Sequence, residues 1–201
     1  DQYTALLTET PFATFFVNSI IVSVASVAVT MLISIMAAYS LARMRFPGSG
    51  ALATGVFLTY LVPGTLLFIP MFKVVAGLGL INSIWGLVLV YPTFMVPFCT
   101  WLLIGYFGSI PKELDEAAQI DGCNHIQMML RVFVPVAMPG IIAATIFAFT
   151  AAWGQFLYPA AYVYSTDQNV LTSGIMTTLI RGDSYFWGQL MAAGVLAAAP
   201  P

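Results

Sequence analysis

Charge is what this chain has least of. Only 7% of its 201 residues are Asp, Glu, Lys or Arg, against roughly 25% in a soluble domain. A water-facing surface cannot be assembled from so few ionised groups, so a composition that is 60% hydrophobic describes a polytopic membrane protein. Histidine and cysteine are nearly missing as well, with one and two respectively. Cys99 stands in an apolar run and Cys123 in a charged one; with His125 alone beside them they make neither a disulfide framework nor a metal-ligand pattern. The net charge of −2, without a basic patch, argues against a nucleic-acid partner. No apolar run carries paired carboxylates or a Ser/His pair, which argues against an intramembrane enzyme. None carries an ionised residue either, as an ion-coupled carrier that needs no ATPase commonly would. There is no Gly-x4-Gly-Lys-Ser/Thr phosphate loop, so any ATP hydrolysis must be done by another chain. The sequence starts at Asp1 without a basic n-region and stops at Pro201 inside an apolar run, and both ends read as cut edges of a longer membrane protein.

What is there is a set of long charge-free windows, 10–42, 46–72, 74–111, 132–166 and 184–201. A helix needs about 20 mainly apolar residues to cross ~30 Å of hydrocarbon. The windows predict five membrane spans near 14–40, 51–73, 84–107, 136–158 and 186–201, the last cut short. Basic residues collect on the cytoplasmic side. Arg43, Arg45, Lys112 and Arg131 fall on one side and Lys73 and Arg181 on the other, which places 43–50 and 111–132 in the cytoplasm, Asp1 outside and Pro201 inside.

Inside the first span, Ser19, Ser23, Ser26, Thr30 and Ser34 keep to one arc of roughly 80°. Small residues of this kind let helix backbones approach closely, so the stripe reads as a helix–helix seam, with a polar pathway as the other reading. Spans two and three contain Pro63–Gly64, Pro70, Pro92 and Pro97, each proline removing a backbone donor. Freed carbonyls at membrane depth need protein or a water-lined cavity, which predicts kinked, interior helices. Trp85, Trp101, Trp153, Trp187, Tyr158, Tyr162 and Tyr164 mostly lie near predicted span ends and read as an interfacial belt, with ligand stacking by a minority as the other reading.

The exception to the scarcity is "PKELDEAAQIDGCNHIQMMLRV" (111–132), which holds four of the eight acids and two of the six bases. Burying six charges in hydrocarbon would cost roughly 15–20 kcal/mol, so this segment lies in water or against protein. Its grammar is helix–turn–helix. Pro111 suits a helix start, and Glu113, Asp115 and Glu116 follow at the positive end of the helix dipole. Gly122 suits a left-handed stop; Asn124 with Gln127 three residues on resembles a capping box. Leu114, Ala117, Ala118 and Asp121 share one face of the first helix, opposite Lys112, Glu113, Glu116 and Gln119. That narrow alanine face suits docking of a partner backbone, or a plain solvated connector.

The residues "EAAQIDG" (116–122) followed by "VFVP" (132–135) resemble the EAA signature of binding-protein-dependent ABC importer permeases. Glu116, Ala117, Ala118, Gly122, Val132, Val134 and Pro135 stand at the signature's offsets, with valine in two places where the family has Ile and Leu. "LARMRFPG" (41–48), "PGTLLFIP" (63–70), "LGLINSIWGLVLVY" (78–91), "GSIPKELDEAAQIDG" (108–122) and "VPVAMPG" (134–140) are similar to the carbohydrate-uptake, maltose-type branch. This chain departs from the family at Ile104, where a basic residue is frequent, and at Trp153-Gly154-Gln155-Phe156, where Trp-Asn-Glu-Phe is usual.

The resemblance implies an all-α transmembrane bundle of the type I importer kind, with about five of six spans present. It implies one permease domain over 1–201, incomplete at both ends, with a coupling loop at 109–135. The partners it implies are two ATPase subunits, a second homologous permease, an extracytoplasmic solute-binding protein and membrane lipid. ATP and Mg would be bound by the ATPase and no cofactor by this chain. Glu116, Ala117, Ala118, Asp121 and Gly122 would couple to the ATPase, Asp121 either by contact or by fixing the turn; Lys112 and Arg131 would meet headgroups or protein, and His125 would be solvated. The solute would be a neutral sugar or polyol, with Trp153, Gln155 and Tyr158 as candidate contacts. The alternatives are an ATPase-independent secondary carrier and an importer permease for a non-sugar solute.

Overall fold

The computed structural model describes residues 2–44, 46–181 and 184–201. Asp1 and Arg45, used above as topological markers, lie outside the described residues, as does the side chain of Arg181. The described elements are α1 (Gln2–Glu9), α2 (Phe12–Arg43), α3 (Ser49–Tyr60), α4 (Phe68–Gly77), α5 (Ile84–Ser109), α6 (Glu113–Ile120), α7 (His125–Met128), α8 (Val134–Val136), α9 (Met138–Trp153), α10 (Leu157–Tyr162), α11 (Leu171–Leu179) and α12 (Trp187–Ala198). One departure from an all-α reading is a two-residue antiparallel pair, Ile180 with Tyr185 and Arg181 with Ser184.

Among the described residues, two helices are long and apolar enough to cross a bilayer unaided, α2 and α5. The second predicted span is broken: α3 ends at Tyr60, and a 3-10 turn, Gly64–Leu67, precedes α4. Pro63 explains the break, because it has no N–H to continue the ladder, and Leu61 and Val62 turn their N–H groups to Leu58 and Thr59 instead. Within this chain α3 has no buried residue and α4 only Val75. Span three, by contrast, runs as one helix through Pro92 and Pro97. Span four begins at Met138, where Ala137 turns the chain by 81° out of His125–Val136. The fifth apolar helix, α12, has 12 residues, about 18 Å, which is short of a crossing.

The chain divides into two compact units, each built from separate stretches. The first comprises residues 1–27, 65–91 and 149–201. Leu6, Phe12, Phe15, Trp153, Leu171 and Leu179 form its core, with Ala192 and Ala193 of α12. The start of the small-residue stripe works here as a clamp on the link between the 3-10 turn Thr166–Gln168 and α11. Asn18 Nδ2 donates to the carbonyls of Asp167 and Asn169, both at 2.9 Å, and Ser19 Oγ accepts from the Leu171 N–H at 2.7 Å. Asn82, at φ 60, donates its backbone N–H to the Tyr162 carbonyl at 2.7 Å, and its Oδ1 accepts from Tyr164 and Ser165. An asparagine tolerates that left-handed conformation because its side chain replaces the missing backbone bonds.

The second unit comprises residues 28–64 and 92–148. In it α2 and α5 run parallel: Ser34 Oγ donates to the Val96 carbonyl at 3.4 Å, and Arg43 meets Ile110 further along both helices. Thr30 and Ser34 are fully buried here, as Ser19, Ser23 and Ser26 are in the first unit, so the stripe is a packed seam. A second small-residue line, Ala137, Gly140, Ala144 and Ala148, lets α9 approach α5, with the Tyr106 ring over Gly140 and the Cys99 thiol 3.8 Å from the Ala144 carbonyl. Close backbone contact of this kind replaces the hydrophobic drive that lipid tails do not supply.

Candidate functional site

The charged segment folds as its residue grammar requires. The helix α6 opens with Glu113, Asp115 and Glu116 in its first turn, where the exposed N–H groups favour negative charge. It ends in a glycine stop: the Gly122 N–H donates to Gln119 and the Cys123 N–H to Ala118, both at 3.0 Å, with Gly122 at φ 76. These are the two bonds of a Schellman motif, and the left-handed residue it needs is the one without a Cβ. Asn124 then caps α7 reciprocally: its Oδ1 accepts from Gln127 N at 2.9 Å, and its own N–H donates to Gln127 Oε1 at 3.0 Å. Asn124→Ala is expected to cost about 1 kcal/mol locally. Amide exchange over 124–131 should quicken about fivefold; unchanged exchange would show that packing alone holds the turn.

One side of α6 faces its own chain. Asp115 is half-buried and Ala118 is 5% exposed. Ala118 therefore packs inward, and its expected place on a docking surface is corrected. Leu114, Glu116, Ala117, Asp121 and Gly122 are exposed. Ile120, 86% exposed, stands out from this helix; Ile126 and Leu130, at 66% and 57%, stand out from the next. These three apolar side chains were not singled out in the sequence, where they read as ordinary residues of an amphipathic loop. His125 is exposed at the start of α7. No hydrogen bond holds the Asp121 carboxylate among the described residues; its backbone N–H closes the helix on Ala117.

What holds this loop in place is Arg43, the last residue of α2. Its side chain is 5% exposed; its Nη2 donates to Ile110 O at 2.9 Å and Pro111 O at 3.2 Å and pairs ionically with Asp115 Oδ2 at 3.2 Å. The guanidinium also lies 4.6 Å from the centre of the Phe133 ring, a cation–π contact that burial strengthens. Tyr39 packs on the same ring at 5.3 Å, and Phe107 meets it edge-on at 6.1 Å. One arginine thus ties the end of α2 to the end of α5, to the first turn of α6 and to the π-helical turn Met129–Phe133. From sequence alone Arg43 is a marker of sidedness; nothing local links it to Asp115. Beside this anchor lies a cavity of about 980 Å³, whose walls include Arg43, Lys112, Asp115, Glu116, Gln119 and His125.

The candidate solute contacts do not gather. Trp153 is 6% exposed, packed against Phe16 and Phe149, with its indole N–H donating to Ala197 O at 2.8 Å. Tyr158 is 2% exposed against Phe68 and Tyr162, while Gln155 is half-buried and accepts from Thr172 through its backbone carbonyl. Trp153, Tyr158 and Tyr162 fill a core, so their assignment to an interfacial belt is corrected; Trp85, Trp101, Trp187 and Tyr164 are exposed.

A helical bundle of apolar spans with a charged helix–turn–helix, anchored on a buried arginine, defines a polytopic membrane protein. Comparison with known proteins places it more closely. The family model described as "Binding-protein-dependent transport system inner membrane component" matches residues 30–200. The chain is 35% identical over 190 residues to the inner membrane ABC transporter permease protein YcjP of Escherichia coli, covering 94% of this chain and 68% of that one. It is 35% identical to the sulfoquinovosyl glycerol transport system permease protein SmoH of Agrobacterium fabrum, covering 99% and 70%. The diacetylchitobiose uptake system permease protein NgcG of Streptomyces coelicolor is also 35% identical, covering 100% and 67%. Its fold matches, at TM-score 0.84 and 21% identity, a chain in the crystal structure of a bacterial ABC transporter that imports alginate, covering 98% of this chain and 73% of that one. The chain belongs to the binding-protein-dependent transport system inner membrane component family, and it is an ABC importer permease of the inner membrane.

Proposed function

We propose that this permease carries a sugar or related polyol and that its loop 109–135 is the cytoplasmic coupling element seated on a separate ATPase subunit. The observation that carries the coupling role is the exposed face of the loop. Ile120, Ile126 and Leu130 are apolar, stand in water beside Ala117, Asp121 and Gly122, and are held there by a rigid cap and turn. Exposed apolar groups rimmed by polar ones mark a protein interaction site, and a short helix entering a groove uses such a surface. Glu116 supplies an anionic contact at its edge. Two ATPase subunits bind ATP and Mg and close on each other; the loop moves with them, and Arg43 carries the motion to α2 and α5. A second homologous permease completes the pathway, and an extracytoplasmic binding protein delivers the solute. The sugar assignment rests on the names of relatives such as SmoH and NgcG.

Glu116→Lys tests the coupling. ATP-driven uptake should fall at least about tenfold, the loss expected when a charge-assisted contact is reversed, while the variant still inserts and co-purifies with its ATPase. Normal uptake by this variant would overturn the docking role. Mass spectrometry of the solute released from the co-purified binding protein tests the substrate: an amino acid, ion or peptide there would replace the sugar reading and leave the coupling role intact.

A further inference from the structure

The coupling role leaves unused the cavity of about 980 Å³ beside the anchor, between the end of α2 and the start of the charged loop. Its two sides differ in kind. Leu41, Met44 and Phe46, from the last turn of α2 and the link after it, make an apolar wall. Lys112, Glu116, Gln119 and His125, from the loop, make a polar one. These four are exposed, and none of their side chains has a hydrogen bond or an ion pair among the described residues. Arg43 and Asp115, which also line the cavity, are already matched to each other.

Depth narrows the choice of occupant. With 32 residues, α2 is about 48 Å long at 1.5 Å per residue, against ~30 Å of hydrocarbon. Centred on the bilayer it projects about 9 Å at each end, so roughly its last six residues stand at headgroup level. Tyr39 and Arg43, both walls of the cavity, are among them. The cavity therefore lies in the layer that has acyl chains on one side and water on the other, and its apolar and polar walls follow that division. Charge narrows the choice further. The uncommitted charges on the polar wall are one of each sign, Lys112 and Glu116. Recognition of an anionic headgroup takes a cluster of Lys and Arg, and such a headgroup would meet the Glu116 carboxylate here. A zwitterion satisfies both signs.

We propose that this cavity binds a zwitterionic phospholipid with a primary amine, of the phosphatidylethanolamine kind. Its phosphate accepts from the Lys112 ammonium and a His125 ring N–H, and its own ammonium donates to the Glu116 carboxylate and to Gln119 Oε1; these bonds are charge-assisted. Its glycerol and first acyl carbons lie along Leu41, Met44 and Phe46. Glu116 keeps acceptor capacity for the ATPase contact, because a carboxylate accepts at both oxygens. The lipid thereby joins the end of α2 to α6 at a second point, beside Arg43.

The test uses the complete complex in nanodiscs of phosphatidylcholine and phosphatidylglycerol, doped with a phosphatidylethanolamine that carries a diazirine near the glycerol end of one acyl chain. After illumination, adducts are mapped by peptide mass spectrometry and their yield is referred to the total labelling of the spans. Adducts should fall within 39–49 and 112–128. Unlabelled phosphatidylethanolamine in place of the phosphatidylcholine, which has no N–H to donate, should lower their yield severalfold, and extra phosphatidylglycerol should not. Lys112→Ala should lower the yield about threefold to fivefold, the weight of an exposed ion pair. Arg131→Ala, which removes an exposed cation of the same loop outside the cavity, should leave it unchanged. Both variants are compared as assembled complexes. Absence of adducts in the two segments would overturn the site. Equal competition by phosphatidylglycerol would overturn it by showing an anionic lipid there, and equal losses for Lys112→Ala and Arg131→Ala would overturn it by showing attraction to the loop as a whole.

Discussion

Arg43→Ala is expected to detach the coupling loop from the membrane helices. The substitution leaves the Asp115 carboxylate, the Ile110 and Pro111 carbonyls and the face of Phe133 without the group that satisfies all four. Removing one partner of a buried ion pair costs about 3–5 kcal/mol, because the other charge stays buried and unpaired. The Asp115 side chain keeps 19% of its surface in solvent, which places the loss toward the lower end. Arg43→Lys keeps the charge but loses the planar fork and the stacked ring, so it should fall between the two. Asp115→Asn should be milder than Arg43→Ala, since the guanidinium retains both carbonyls and Phe133. The measurements are protease cleavage within 109–135 and the ratio of solute transported to ATP hydrolysed in the assembled complex. Rapid cleavage with a collapsed ratio for Arg43→Ala, ordered Ala, Lys, native, is the expected series. An Arg43→Ala complex with native coupling would show that α6 moves the spans by another route.

How much of this could be read in advance differs by element, for physical reasons. The helix–turn–helix was legible residue by residue, because each of its signals is local. A glycine stop and an Asn-x-x-Gln cap act within five residues and do not depend on the rest of the chain. The α2 and α5 spans were legible because a charge-free run of that length has few other uses. The break at Pro63 was visible as a proline but not as the end of a helix, since Pro92 and Pro97 carry the same signal and leave α5 continuous. Whether a proline breaks its helix depends on which neighbours satisfy the freed carbonyls, and that is tertiary. The same limit explains the misplaced aromatics. Trp101 and Trp153 both lie near predicted span ends, yet one is exposed and the other packed in a core. The Arg43–Asp115 pair joins distant segments and left no local trace. The small-residue line on α9, at spacings of three and four, was there to be read and reports the α5 contact.

Gly122→Leu is the other change with a large expected effect, and its force comes from backbone geometry. Gly122 sits at φ 76 with open space around its would-be Cβ, so no clash with a neighbour is involved. A leucine in that left-handed conformation carries roughly 1–2 kcal/mol of strain, which lowers the occupancy of the native turn by about 5–30-fold. The alternative is for α6 to run on or fray, and either one undoes both closing bonds, from Gly122 to Gln119 and from Cys123 to Ala118. The start of α7 then loses its register, and with it the arrangement of Ile120, Ile126 and Leu130 on the exposed face. Uptake should fall while the spans, which do not depend on this turn, still insert and bind the second permease. Gly122→Asn separates shape from side chain: asparagine accepts the left-handed region, so a variant larger than alanine should retain most of the coupling. If Asn and Leu fail equally, it is the bulk at position 122, pressed against a docked partner, that matters. If both transport normally, the turn does not set the geometry of the loop.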